Sequence, residues 1–319
     1  MRRSWGAMCI AALVTSVFVA CGSPTLSEAP ATLRHETTPV PVPTTSPQPT
    51  PTPEPSRPRS PLVDAGTPAF AVFDPTHFTN GAIIDNPWLP LERGRRWILE
   101  GVTIEGEERI PHRITFTVTD LTKVIADVET AVVWIEDISD GALVEKEIAF
   151  YAQDDGGTVW YLGEHPEEYE DGEFIVAPTW MAGFQNARAG VKMFAEPMVG
   201  MQTFYQGWGP AVEWSDYGRI DATGLEDCVV TGCYSDVVRF AESSLGEDGI
   251  YQLKSYAPGV GEIRVGWRGD SETREELELV SSEVVDGATL AEIRHLAPEL
   301  EQHAYEISPD LYGQTDPAG

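Results

Sequence analysis

Between residues 113 and 285 the chain repeatedly alternates apolar and polar side chains. That period-two pattern predicts half-buried antiparallel strands. Residues 113–119 (RITFTVT) put Ile114, Phe116 and Val118 on one face. Residues 131–138 (AVVWIEDI) are a second strand, and Ser139, Asp140 and Gly141 turn the chain into residues 143–153 (LVEKEIAFYAQ). There Val144, Ile148, Phe150 and Ala152 share a face, with Lys146 as the exception. The run DDGG at 154–157 supplies a hairpin turn, and residues 158–163 return along it. Further strands are expected at 174–176, 235–242, 250–256, 262–267 and 275–285. Such a series makes a meander, in which neighbours in sequence are neighbours in the sheet.

At the C-terminal end the period changes. Leu290, Ile293, Ala297, Leu300, Ala304 and Ile307 recur at spacings of three and four, the signature of an amphipathic helix. Asp286 is placed to cap its N-terminus, and Pro298 predicts a kink or two short helices. The expected fold is therefore mainly β: an antiparallel meander bent into a half-barrel or sandwich, with a C-terminal amphipathic helix. Residues 70–97 mix Pro, Asn and Gly with Phe78, Ile83, Ile84, Trp88, Leu89 and Leu91. They read as a loop-rich lead-in that docks apolar side chains on the core, with Trp88 and Trp97 as core residues.

The first 69 residues follow other patterns. Arg2 and Arg3 precede a short uncharged run ending in Ala20-Cys21, too short to span a membrane as a helix but suited to a cleaved secretory signal over residues 1–20. Bacterial lipoprotein signals resemble this one, which makes Cys21 the expected site of acylation, a palmitate-type anchor. Residues 21–69 are Pro-, Thr- and Ser-rich. The segment 39–61 holds only Val40 and Val42 as apolar side chains, so it lacks the surface needed to offset chain entropy and reads as a disordered, extended spacer. A single globular domain over 70–307 and a tail over 308–319 complete the division.

Charge narrows the partners. With Lys+Arg 21 and Asp+Glu 51, the formal net charge is −30, and no basic stripe offers a phosphate grip, so nucleic acid is excluded. Outside the leader and Cys21, the cysteines are Cys228 and Cys233. In an oxidising compartment they read as a local disulfide pinning a turn at Gly232, in preference to a metal or redox pair.

Five stretches, DNPWLPL at 85–91, FTVTDLTKVI at 116–125, VWYLGEHPEEYEDGEF at 159–174, CVVTGCYSDV at 228–237 and YAPGVGEIRV at 256–265, resemble a group of secreted or lipid-anchored actinobacterial proteins without an assigned activity. The resemblance covers residues 75–305. It implies an extracytoplasmic β fold and transfers no catalytic residue.

Candidate chemistry is sparse. The acidic run EHPEEYEDGE at 164–173 is read as a solvated loop, with calcium ligation as the alternative; the calcium-loop pattern is absent. The six histidines show no ligand spacing, and His295 and His303 fall on the polar side of the helix as solvated groups. No nucleophile elbow, zinc-protease motif or phosphate loop occurs, so no catalytic, metal or cofactor residue is assigned. The aromatic and glycine-rich region supplies the candidate ligand-facing set: Trp180, Phe204, Tyr205, Trp208 and Trp214, since aromatic faces bury much area at low entropic cost. The expectation is a lipid-anchored, extracytoplasmic binding module for an apolar or carbohydrate ligand or a partner protein. A surface hydrolase using acidic residues and a structural envelope protein are the alternatives.

Overall fold

The computed structural model describes residues 67–247 and 249–319. The signal segment, Cys21 and nearly all of the expected spacer lie outside the described residues. Two meanders make up the sheet. The first runs β1 (Arg95–Glu105), β2 (Glu108–Ile125), β3 (Val128–Ser139), β4 (Ala142–Gln153) and β5 (Val159–Glu170), with the short β6 (Glu173–Val176) and β7 (Trp180–Met181) also paired to β5, and then β8 (Arg188–Met193). The second runs β11 (Asp216–Val229), β12 (Gly232–Ser244), β13 (Tyr251–Ala257), β14 (Gly261–Arg268) and β15 (Thr273–Val284). β1 pairs with β15 along eleven registered positions, joining the two meanders. The fold is thus mainly β and antiparallel.

The opposite edges meet at a narrow seam. Here β9 (Phe204–Tyr205) pairs with β11 and β10 (Gly207–Trp208) pairs with β8, so one short stretch belongs to both edges. Gln206 is its pivot, donating its backbone N–H to Asp216 O at 2.8 Å. The sheet therefore curls into a barrel with little free edge. Glycine makes the approach possible. A Cβ on Gly190 would run into the backbone of Gln206 and Gly207, and one on Gly207 would lie 2.5 Å from Trp214 Cζ3.

One end of the lumen is stoppered by the lead-in loop, whose Leu89 and Leu91 are 8% and 6% exposed. Asn86 holds the loop in place. Its Nδ2 donates to Gly157 O at 2.9 Å and Phe194 O at 3.0 Å, while its Oδ1 accepts from Trp88 N at 3.0 Å and Leu89 N at 3.1 Å.

Outside the barrel, α1 (Gly287–Ile307) lies on β2 and β4 and buries Ile293, Ala297, Leu300 and Ala304. Asp286 caps it, accepting from Thr289 N at 2.8 Å. The helix runs unbroken through Pro298, which corrects the expectation of two short helices: the packed apolar face outweighs the missing hydrogen bond. A buried ion pair clamps the helix to the sheet. Lys123 Nζ on β2 lies 2.7 Å from Glu301 Oε1 and donates to Asp316 O at 2.6 Å, between the rings of Tyr305 and Tyr312. The tail after Ile307 is folded in as well: α2 (Pro309–Tyr312) buries Leu311 and Tyr312, and Gly319 exchanges two backbone bonds of 3.0 Å with Thr122.

The acidic run at 164–173 is not a solvated loop. Most of it is the end of β5, and Glu164, His165 and Glu167 are 1%, 0% and 2% exposed. His165 and Glu167 face outward beneath α1, where His303 Nδ1 contacts Glu167 Oε1 at 2.6 Å. His303 is therefore engaged with the sheet, which corrects its reading as a solvated helix residue. Cys228 and Cys233 face each other across the β11–β12 turn and form a disulfide.

The seam can be tested. Gly190→Ala is expected to cost about 3 kcal/mol by forcing the two edges apart. That is a fall of about 6–12 °C in melting temperature for a body of this size. Gly266→Ala in β14, whose added methyl group meets nothing within 4 Å, should shift the transition little.

Candidate functional site

Strand alternation gives this barrel an unusual interior. On β3, Val133, Ile135 and Asp137 point inward; on β4, Glu145, Glu147 and Tyr151 do so. Two irregularities add to the wall. In β5 a bulge at Gly163, where φ is +152°, places Tyr161 and Glu164 on the same inward face. A second bulge, in the β5–β8 pairing, turns Lys192 inward. From the other meander come Asp216, Gln252, Lys254, Glu262 and Glu275.

Apart from Val133 and Glu164, these side chains line a cavity of about 100 Å³, and Glu164 stands behind it, bonded to the lining residue Tyr161. A second, apolar cavity of about 50 Å³ adjoins it under the loop stopper, lined by Leu89, Leu91, Trp97 and Val133. The two share Leu99, Phe116, Tyr151, Lys192 and Glu262 as walls.

Three carboxyls crowd the β4–β5 wall. Tyr161 Oη lies 3.1 Å from Glu147 Oε1 and is also hydrogen-bonded to Glu164. A phenol has a single proton. If it donates to one carboxylate, it can only accept from the other, which must then be protonated. Burial and the neighbouring Glu145 push Glu147 up to about 8. Burial, then the charges of the neighbouring carboxylates, hold Glu145 and Glu164 well above the ordinary range.

Opposite charges meet elsewhere in the lumen. Glu242 accepts from Gln206 Nε2 at 2.8 Å and lies 3.6 Å from Lys192 Nζ and 3.1 Å from Lys254 Nζ. Burial opposes its ionisation, yet the two ammonium groups draw it down to about 2. Burial also acts against the Lys254 charge, and Glu242 and Glu262 outweigh it, so Lys254 stays a cation. Asp216 accepts from Ser244 Oγ at 2.6 Å, and burial raises it to about 7. Near the far end, His112 Nε2 meets Asp137 Oδ1 at 2.8 Å and Gln252 Nε2 donates to Glu275 Oε2 at 2.6 Å.

The five aromatic candidates separate. Trp214 lines the polar cavity, and its buried indole N–H has no partner among the described residues. Trp180 stacks behind it at 4.6 Å. Phe204 is core, edge-on to Phe194 and Phe240. Tyr205 stacks on Phe70 at 4.1 Å, and Trp208 packs edge-on against both. Apart from Glu164, which falls in the acidic run, the lumen carboxyls and lysines were not singled out in the sequence. The available signal was the polar half of the β4 alternation, where Glu145, Glu147 and Tyr151 stand opposite a strongly apolar face.

Among the described residues no group of three or more His, Cys, Asp and Glu is placed to hold a metal. No helix among them is long and apolar enough to cross a membrane. No family model and no curated protein matches this chain. Among solved structures, a Bacteroides fragilis protein described as exported and of YmcC-like fold is similar over 62% of this chain and 99% of its own, at 11% identity and a TM-score of 0.37. A likeness that weak carries no argument.

The protonation states set a pH dependence. Glu147 and Asp216 hold protons in the folded barrel that an unfolded chain sheds near pH 4–4.5. The folded state therefore binds more protons from there to about pH 7–8, and stability falls as pH rises through that window. Glu242, drawn down to about 2, acts oppositely and loses its contribution only below its unfolded value. Raising pH from 5 to 8 is expected to cost on the order of 3 kcal/mol, lowering the melting temperature by about 6–12 °C. Glu147→Gln should flatten that slope and stabilise the protein at pH 8, as followed by calorimetry.

Proposed function

We propose that this chain is an extracytoplasmic binding module, held to the membrane by a lipid on Cys21, that takes a small polar ligand into the barrel lumen. The observation that carries this reading is a cavity of about 100 Å³ walled by ionisable side chains. A barrel of purely structural purpose fills its interior with apolar side chains. Here the interior is polar although burying such groups costs stability, and a cavity combining convergent polar groups with perturbed protonation is the form a binding site takes.

Size narrows the ligand. A dry cavity of about 150 Å³ holds one benzene ring, so the apolar chamber of about 50 Å³ has no room for an acyl chain. The lumen is thus unsuited to carrying lipid, and a ligand there is small.

A second reading is favoured by the Glu147–Tyr161–Glu164 chain. A protonated carboxyl and a potential base linked through a phenol are the parts of an acid–base catalyst. The two readings differ in outcome: a binding module returns its ligand chemically unchanged, and an enzyme converts it.

Native mass spectrometry of the full chain from its own envelope is expected to show a small bound solute. Val265→Phe, which fills the cavity at an overpacking cost of about 1–3 kcal/mol, should lose it; a solute retained by that variant would overturn the lumen as the site. Cys21→Ser should abolish incorporation of labelled palmitate and release the protein from the membrane fraction. Continued labelling would overturn the anchor at that position.

A further inference from the structure

Resting on the lumen as the ligand site, we propose that its ligand is a small zwitterion with an aliphatic substituent, of the α-amino-acid class. Three features of the cavity point there together: a carboxyl wall, a lysine pair and an apolar annex.

The charges are unevenly met by the protein itself. Glu145, Glu147 and Glu164 make no ion pair among the described residues, and two of them converge on one phenol. An ammonium group placed there would let these carboxyls ionise and would receive charge-assisted hydrogen bonds. Lys192 and Lys254 share the single carboxylate Glu242. Asp216 and Glu262 also face them, as Glu147 does Lys192, and burial biases all three toward their protonated forms. A ligand carboxylate supplies the anion this pair lacks. A neutral ligand answers neither wall, and a ligand of single charge answers only one.

Independent of the charges, Trp214 is 2% exposed, lines the cavity and keeps an indole N–H without a partner among the described residues. A buried donor left unmade is costly, and a ligand oxygen satisfies it. The apolar chamber beside the polar one, bounded by Leu89, Leu91 and Val133, receives the substituent. Measured against the 150 Å³ benzene-binding cavity, the two chambers suit a molecule of about six to eight heavy atoms, the size of valine. An indole side chain exceeds that space.

The test is calorimetric titration of the full chain at pH 7 with L-valine, its methyl ester, N-acetyl-L-valine, isobutylamine, isovalerate, L-tryptophan and glucose. Valine is expected to bind, and removal of either charge to weaken it by about tenfold or more. Lys192→Met should weaken valine and leave isobutylamine unchanged; Glu147→Gln with Glu164→Gln should weaken valine and leave isovalerate unchanged. Isobutylamine or isovalerate binding as tightly as valine would overturn the zwitterion. Glucose binding without valine would overturn it while leaving the lumen reading intact. No binding by any of these would overturn the zwitterion, and a natural solute retained in the Val265→Phe chain would overturn the lumen reading with it. The wild-type titrations decide the matter even where a variant fails to fold.

Discussion

Everything in this molecule depends on bringing the two outer edges of one long sheet together. The stretch from Phe204 to Trp208 does so by giving its first half to β11 and its second half to β8. No side chain fits between Gly190 and the backbone it faces, and Gly207 lies flat under two indoles. Without that contact there is a curved sheet with a wet concave face. With it, the same inward side chains enclose a chamber of low effective dielectric, where their charges matter far more.

The chamber's composition follows from ordinary strand geometry plus two departures from it. Regular alternation would have sent Glu164 outward, in phase with the buried face under α1. The bulge at Gly163 brings it in beside Tyr161. The bulge that carries Lys192 has the same effect on the neighbouring strand. A sheet keeps such irregularities where they aim a functional side chain. Meanwhile α1, clamped through Lys123 and Glu301, seals the outer face of β2 and β4, so these strands are buried on both sides.

This two-sided burial explains what could and could not be read in advance. The strands whose alternation is strong, at 113–119, 131–138 and 143–153, are present, as are the Asp286 cap and the Cys228–Cys233 disulfide. Each rests on local chemistry. Alternation, however, only separates an apolar face from a polar one; it does not distinguish bulk water from a polar lumen. Nothing local therefore marks Glu145 and Glu147 as lining a lumen. The run of acids after Gly163 passed as a loop because its charge density outweighed its β-propensity, and its pairing with β4 and the contact from His303 are what keep it in the sheet. β1 and β11 went unmarked because Gly101 and Gly218 interrupt their patterns at points of close packing. Trp214 was picked out as an aromatic, whereas its unpartnered N–H is visible only in three dimensions.

The ring of strands is unevenly fastened. Eleven rungs join β1 to β15, while the opposite junction hangs on two rungs to each side. Local unfolding takes the cheapest route, so thermal breathing concentrates at the short junction. That junction carries Gln206, the partner of Glu242, and lies beside Trp214. The least secure latch of the barrel is thus also the door nearest its most heavily charged contents.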